Sequence, residues 1–555
     1  MTPEDLTDEH RAIARAADEF WNKEVVPNLE AIRHAEPGVA ARVVRKSAEL
    51  GLIAVTVPEE YGGMEMDLAS SIVVAERLSR DGSYAGWHGA HAGIGTLPVL
   101  LFGNGQQKQK YLPKLTSGEW IGSYCLTEPH AGSDALAART RADLSPDGTH
   151  YVLNGQKMWI TNAAGASLFT VFAKIGGEKF SALLVERSWP GVSVGEEEKK
   201  MGVKGSSTRA VYFDNVKVPV ENVLGEIGRG HVIAFNILNV GRLKLGPYAV
   251  GGAKDVLSIC LKYAKERTAF GHPIGDFGLI QHKLAEMAIR IFAAETMTFR
   301  VVGQIEGHLH GWSWNQPEAA RHHLEAIEEF AIECSYIKVF SSEMLDYVVD
   351  EGVQIHGGYG YHQDYAVERA YRDSRVNRIF EGTNEINRLL ATGMLLKRAQ
   401  RGQLALVDAV KHLAPVTSAD DEAARLVGNA KKLVLFALGL GYRRFRDRLE
   451  KEQEVVAGIT DLAMSTFAAE SVWLRVRKLG ARAGIAQEMA EVFLRDAMRR
   501  SEAIARDIVG VCSAGDEMDA DLALLAQFTE FRPMNAVAAR RRIAARLLDG
   551  GRYIF

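Results

Sequence analysis

Several things this 555-residue sequence has little of narrow its reading first. Its four cysteines, Cys125, Cys260, Cys334 and Cys512, stand far apart with no Cys-x-x-Cys spacing, and no histidine cluster lies at zinc-finger distances. Neither a disulfide framework nor a structural zinc site is therefore encoded, and the thiols read as reduced ones in a cytosolic protein. Net charge is also scarce: 66 Lys and Arg against 70 Asp and Glu leave −4, with a pI near 6.5. No global field exists to hold DNA, RNA or an acidic membrane, and no nucleic-acid partner is expected. No apolar run approaches the roughly 20 residues that cross a bilayer, Leu433 to Tyr442 being about half that. Glu4, Asp5, Asp8 and Glu9 stand where an export or transit peptide is basic, so a cytoplasmic location is expected.

What is present, 47% hydrophobic and 25% charged residues, suffices for several packed layers and three or four domains. From Thr7, a plausible cap followed by Asp8 and Glu9, to about Ser117 the spacing is helical, with Ile13, Ala17 and Phe20 on one face. Pro58 and Gly62-Gly63 divide this stretch into separate helices. From about Glu119 to Gly230 the period becomes two, as in Phe169, Val171 and Ala173 or Ala210, Tyr212, Asp214, Val216 and Val218. Asp147-Gly148, Asn154-Gly155 and Gly176-Gly177 supply its turns. Helical spacing then returns in Phe330, Cys334, Ile337, Phe340, Met344 and Val348. A further helical segment of domain size follows Gly402, without repeats. The expected boundaries are 1–118, 119–230, 231–400 and 401–555.

The chemistry lies in five segments. Tyr124-Cys125-Leu126-Thr127-Glu128-Pro129-His130-Ala131-Gly132-Ser133-Asp134 follows a strand and suits a loop whose amides approach a ligand. Lys157-Met158-Trp159-Ile160-Thr161-Asn162, Arg267-Thr268-Ala269-Phe270-Gly271, Gln354-Ile355-His356-Gly357-Gly358 and Ile379-Phe380-Glu381-Gly382-Thr383-Asn384-Glu385 come after it in order. A guanidinium pairs with pyrophosphate and paired glycines admit close backbone approach. Read alone, Arg267 is equally a surface ion pair and Gly357-Gly358 a helix-ending turn. Glu381 precedes a helix that Thr383 can cap, with apolar Ile379 and Phe380 beside it to raise its pKa. Taken alone it is equally a solvated loop acid or a helix-end charge.

Together the five segments resemble the acyl-CoA dehydrogenase family from about Thr7 to Arg398. Glu198-Lys199-Lys200-Met201-Gly202 and the long tail resemble its very-long-chain branch. The resemblance implies an α+β multidomain fold: an N-terminal helical domain, a β-barrel-like middle domain, a four-helix bundle and an appended helical domain. It implies FAD held by Tyr124, Leu126, Thr127, Ser133, Trp159, Ile160 and Thr161, with Thr383 and Glu385, and completed from a neighbouring subunit by Arg267, Phe270, Gln281, Gln354, Gly357 and Gly358. Ser133, Asn239, Arg242, Phe380 and Gly382 are the implied acyl-CoA contacts. Glu381 is the implied base, since the alternative position used by some branches, immediately before Arg242, is Gly241. The implied reaction is α,β-dehydrogenation of fatty acyl-CoA to trans-2-enoyl-CoA in fatty acid β-oxidation, with electrons passed to an electron-transfer flavoprotein.

The resemblance also places the pocket floor at Gly86 to Gly95, whose small residues suggest a deep, long-chain pocket. The same glycines equally allow close helix packing, and Trp87 can close the floor. The tail implies a homodimer and peripheral membrane contact, for which Leu433 to Tyr442 between Lys431-Lys432 and Arg443-Arg444 is the candidate; a buried helix with snorkelling ends is the other reading. Arg540-Arg541-Arg542 with Arg546 suits a solvated helix face better than a DNA track. Two alternatives to a dehydrogenase remain: an acyl-CoA oxidase, and a non-catalytic assembly or DNA-binding scaffold of the same fold.

Overall fold

The computed structural model describes residues 1–417, 419 and 421–555. Its first helix, Asp8–Phe20, starts where the Thr7 hydroxyl accepts the His10 amide at 3.3 Å, and it buries Ile13, Ala17 and Phe20. Asp67 and Asp81 cap Leu68–Arg77 and Gly82–Ala90 in the same way, leaving the first of these buried on nearly every side. A widened turn, His91–Gly95, bends at Gly93 (φ −103, ψ −106) before Leu97–Phe102 and Gly105–Thr116 complete the helical layer.

The chain then turns to strands: β1 (Ile121–Cys125), β2 (Arg141–Leu144), β3 (His150–Thr161), β4 (Ala166–Ile175), β5 (Lys179–Glu186), β6 (Val192–Glu197), β7 (Thr208–Pro219) and β8 (Val223–Leu224). Their order is β6-β7-β3-β2-β4-β5-β8, with β1 joined in parallel to the first half of β4. Phe169, Val171 and Ala173 face a core enclosed by the sheet itself, while Leu168 and Phe172 of the same strand face the core shared with the helices. β4 is thus buried on both faces, which is how its near-continuous apolar run arises. On β7 the expected single face breaks. Asn215 (φ +51) is an extra residue opposite β3, so Tyr212 and Asp214 point outward while Val216 and Val218 point in.

Four long helices, Gly230–Glu266, Gly278–His308, Ala331–His356 and Asn384–Gln400, pack as a bundle beside the sheet. The appended segment adds Glu422–Phe445, Gln453–Leu479, Ile485–Cys512, Gly515–Thr529 and Ala536–Gly550. By length and composition Gln453–Ala483 is long and apolar enough to cross a bilayer, but it packs against three bundle helices and two appended ones. Leu433 to Tyr442 lies within a helix that buries Leu433, Phe436, Ala437, Leu438 and Leu440, so the stretch is a core stripe. Arg443 beyond it pairs with Asp521 at 2.5 Å. Arg540 is paired with Glu286 (2.8 Å) and Asp496, and the exposed Arg542 with Glu488 (2.8 Å), so two of the four arginines of the basic cluster are held by carboxylates.

A buried charge network joins this segment to the rest. Arg475, 1% exposed, donates to Glu295 and to Glu4, each at 2.7 Å. Lys254 bridges Glu295 (2.5 Å) and Glu76 (2.7 Å), and the Tyr553 hydroxyl donates to Glu295 at 3.3 Å. All four cysteines are free and buried.

Candidate active site

Glu381 stands between the end of a short helical turn and the Asn384–Gln400 helix, which Thr383 caps by accepting the Ile386 amide at 3.3 Å. Glu381 (φ +58) and Gly382 (φ +80) are consecutive left-handed residues. A side chain tolerates that conformation only when its surroundings impose it. Here they do: Arg242 Nε donates to the Glu381 carbonyl at 3.2 Å, and Lys338 Nζ to the Gly382 carbonyl at 2.8 Å. Asn387 Nδ2 donates to the carbonyls of Gly382 (2.8 Å) and Thr383 (3.0 Å).

The turn directs the carboxylate against Gly241 on the Gly230–Glu266 helix. A β-carbon added there would lie 2.6 Å from Oε2 and 2.9 Å from Cδ. Gly241 is bare because Glu381 fills the volume its side chain would need. Oε2 is buried with no hydrogen-bond partner. Burial raises the Glu381 carboxyl from an ordinary 4.5 to about 7, against the opposing pull of the Arg242 and Lys338 cations. Ile379 and Phe380 contribute less cover than the sequence suggests, being 52% and 44% exposed at the rim. Tyr124, on β1, is near enough for the carboxylate's charge to add to the burial that raises its phenol.

Arg242 is itself buried, and its Nη1 donates to Asn239 Oδ1 at 2.9 Å. The two expected acyl-CoA contacts on this helix are thus bonded to each other and to the base turn.

The Thr-Glu-Pro loop and β3 meet through a buried ion pair. Lys157 Nζ donates to Glu128 at 2.7 Å and to the Leu126 carbonyl at 3.1 Å, while Glu128 accepts the Arg139 (2.6 Å) and Thr140 (3.1 Å) amides. The Met158 amide donates to the Thr127 carbonyl at 2.9 Å. This fixes Leu126 and Thr127 next to the strand segment that carries Trp159, which sits on left-handed backbone (φ +59) and is 52% exposed; Ser133, further along the same loop, is exposed. The Ile160 side chain turns into the sheet core and the residue is buried. Tyr124 packs edge-on against Phe172.

Thr161 ends β3 and Glu385 lies in the first turn of the Asn384–Gln400 helix, while the flavin residues expected from a neighbouring subunit lie elsewhere. Arg267, Gly357 and Gly358 line an open cleft of about 510 Å³ on the bundle, none of whose lining residues comes from the sheet. Among the described residues Arg267 has no carboxylate partner; its guanidinium lies 5.5 Å from the Tyr359 ring centre. That excludes the plain ion-pair reading. Gly357 (φ +59), Gly358 and, on the other loop, Gly132 all face open space. Phe270, left-handed (φ +53) and 93% exposed, projects nearby in sequence, and Gln354 is exposed. Gln281 is engaged internally, donating to the Gly275 carbonyl at 3.0 Å. An unpaired guanidinium beside two uncovered glycine backbones suits a pyrophosphate.

On the Gly86–Gly95 segment, β-carbons at Gly86 and Gly89 would meet Ser206 Oγ and Tyr248 Oη, both at 2.4 Å, so those spaces are filled by neighbours. Gly93 alone of the three faces open space. Trp87 is buried and donates to the Gly205 carbonyl at 2.9 Å.

Sequence patterning missed Lys338, Asn384 and Asn387, the side chains that hold the base turn. Lys338 is four residues after Cys334 on the buried stripe of its helix, and a lysine inside an apolar stripe is the signal that could have shown it.

Four family models match the chain: acyl-CoA dehydrogenase N-terminal domain over residues 7–119, middle domain over 123–216, and two models described as acyl-CoA dehydrogenase, C-terminal domain, over 228–395 and 429–527. The chain is 45% identical to the "Probable acyl-CoA dehydrogenase" of Bacillus subtilis (strain 168), over all of this chain and 96% of that one. It is 43% identical to the bovine (Bos taurus) mitochondrial very long-chain specific acyl-CoA dehydrogenase over 351 residues, which is 61% of this chain and 51% of that protein. A crystal structure of an acyl-CoA dehydrogenase complexed with FAD from Bacillus anthracis superposes with a TM-score of 0.98 at 46% identity, covering 100% of this chain and 97% of that one. The chain belongs to the acyl-CoA dehydrogenase family.

Proposed function

We propose that the chain oxidises fatty acyl-CoA to trans-2-enoyl-CoA, with Glu381 as the base and FAD as its cofactor, as a step of fatty acid β-oxidation. The observation that carries this reading is the Glu381 carboxylate: buried, with Oε2 unbonded, and titrating near neutrality. A base must have a free lone pair, and its pKa serves best near the working pH. When bound, FAD supplies the two-electron acceptor that no side chain provides.

Glu381 Oε2 takes the α-proton, and the β-hydrogen leaves with its electron pair. The Glu381 main-chain amide donates to the thioester carbonyl, stabilising charge as the proton departs. Arg242 and Asn387 hold the carbonyl of the residue that carries both groups. Arg242, Asn239, Phe380, Gly382 and Ser133 form the acyl-CoA side of the site.

Tyr124, Leu126, Thr127, Ser133, Trp159, Ile160 and Thr161 hold the flavin on one side, with Thr383 and Glu385 at the base turn. Arg267, Phe270, Gln281, Gln354, Gly357 and Gly358 act on the flavin of a second copy, a reading supported by the cleft that Arg267, Gly357 and Gly358 line, which has no residue from the sheet. A homodimer follows. The electrons go on to an electron-transfer flavoprotein, and the enzyme works in the cytoplasm. Its finer preference is for long acyl chains, a reading supported by the likeness to very-long-chain relatives and by the open space at Gly93.

The test is anaerobic bleaching of the flavin spectrum by acyl-CoAs of increasing length, followed by air. Bleaching by long chains that persists in air and is relieved by an electron acceptor is the expected result. Rapid recolouring with peroxide would make the protein an oxidase, and absence of bleaching would leave a scaffold.

A further inference from the structure

Lys338 has no exposed surface, yet it carries an ammonium into the middle of the Ala331–His356 helix. Such a group is retained in an apolar interior only when its bonds and its charge are used. Its two bonds go to neutral acceptors, the Gly382 carbonyl at 2.8 Å and Asn384 Oδ1 at 2.7 Å. Among the described residues no carboxylate bonds it, and the strongest charge acting on it is that of Glu381. Asn384 is held in turn, donating to Ser342 Oγ at 3.1 Å and to Glu343 Oε1 at 3.0 Å. The helix therefore presents one cation, in a fixed place, to the turn on which Glu381 stands.

We propose that Lys338 is a positioning residue for the base: its ammonium anchors the left-handed Glu381–Gly382 turn through the Gly382 carbonyl, and its charge favours the ionised carboxylate. The proposal rests on Glu381 being the base. Arg242 already grips the Glu381 carbonyl from the other helix, so anchoring alone would be served by a neutral donor at 338. What a neutral donor lacks is the charge. The charged or titratable groups around the carboxylate are Tyr124 from β1, Arg242 from the Gly230–Glu266 helix and Lys338; Arg242, Glu343 and Glu385 surround Lys338 in turn. With Lys338 gone, Arg242 is the sole cation left acting on the base among these groups. Burial brings the Lys338 ammonium down to about 7, which keeps it charged on the acid side of neutrality, where the base most needs help to ionise.

The experiment measures the rate constant of anaerobic flavin bleaching by saturating acyl-CoA from acid to alkaline pH in three flavin-loaded proteins: wild type, Lys338→Met and Asn384→Asp. Lys338→Met should move the acid limb upward by about one pH unit, the usual minimum effect of removing a close opposite charge. Asn384→Asp keeps an acceptor for Lys338 and cancels its charge without opening a cavity, at the cost of the bonds that Asn384 donates to Ser342 and Glu343, and it should move the limb the same way. A residue that merely glues helix to turn would lower the rate at every pH and leave the limb in place; that result overturns the proposal. If Lys338→Met fails to retain flavin, Asn384→Asp decides alone on the same criterion. Glu381→Gln is run alongside. If it still bleaches normally, the base assignment has failed and the lysine proposal falls with it. If it is inactive while both other variants keep the wild-type limb, only the lysine proposal has failed.

Discussion

Glu381→Gln should make the protein a poorer catalyst and a more stable fold. Glutamine keeps the size and both heavy-atom positions of the carboxyl group but can neither ionise nor accept the proton. The catalytic loss expected for removing a positioned general base is about a hundredfold to ten-thousandfold. The stability gain follows from the raised pKa, 4.5 to about 7. A carboxyl that is harder to ionise in the fold than in the unfolded chain binds its proton more tightly when folded, so stability falls as pH rises between the two values. The full penalty applies above pH 7 and amounts to about 3 kcal/mol at 1.36 kcal/mol per pKa unit. This is an upper bound, because in the variant Arg242 and Lys338 lose the charge that supports them. For a chain of this length, with unfolding entropy near 2.1 cal/mol/K per residue, that amounts to a rise of about 2–3 °C in Tm. The assay is thermal unfolding of wild type and variant in parallel across pH, without substrate. The two curves should converge near pH 4.5 and separate up to pH 7, the variant melting higher. A variant that melts lower at every pH, or a separation that ignores pH, would refute the claim that an unpaired ionised carboxylate is buried there.

Gly241→Ala places a methyl 2.6 Å from Oε2, so the variant should retain flavin yet bleach at least tenfold more slowly, measured by stopped-flow absorbance. Arg267→Ala should weaken flavin retention on gel filtration while leaving the pH profile of any loaded fraction unchanged, since the cleft it lines does not include Glu381. Arg475→Ala leaves Glu295 buried with Lys254 as its remaining cation and should cost about 3–5 kcal/mol, seen as earlier thermal melting.

Much of the fold is legible wherever one face of an element meets one core. Ile13, Ala17 and Phe20 form a helical stripe, and the Thr7 cap is a local hydrogen bond that the residue type forecasts. Patterning fails where burial is decided by a distant partner. The alternation on β7 breaks at Asn215 because β3 lacks a matching residue, a fact of pairing that neither strand displays alone. Leu433 to Tyr442 has the composition of an interfacial anchor, and only the helices stacked on it make it core. Gly86 and Gly89 suggest an empty floor, but Ser206 and Tyr248, distant in sequence, fill it.

Glu381, the proposed base, is visible in the sequence, but the contacts that hold it in place are not. A loop glutamate before a glycine is ordinary; what distinguishes Glu381 is that three separate helices converge on its turn. One contributes Gly241 and Arg242, the second Lys338, and the third Asn387, whose amide reaches back over the three carbonyls before its own helix starts. Their positions in the chain, from 241 to 387, share no short spacing, because side chains that hold a strained turn are selected by where helices cross. The left-handed backbone at Trp159, Phe270 and Glu381 fits the same account: each is a bulky or charged residue in a conformation that glycine adopts more readily, and each falls within a segment the sequence marks for chemistry. Strain held at those places and supported by buried charge elsewhere is what a site organised before its ligands arrive requires.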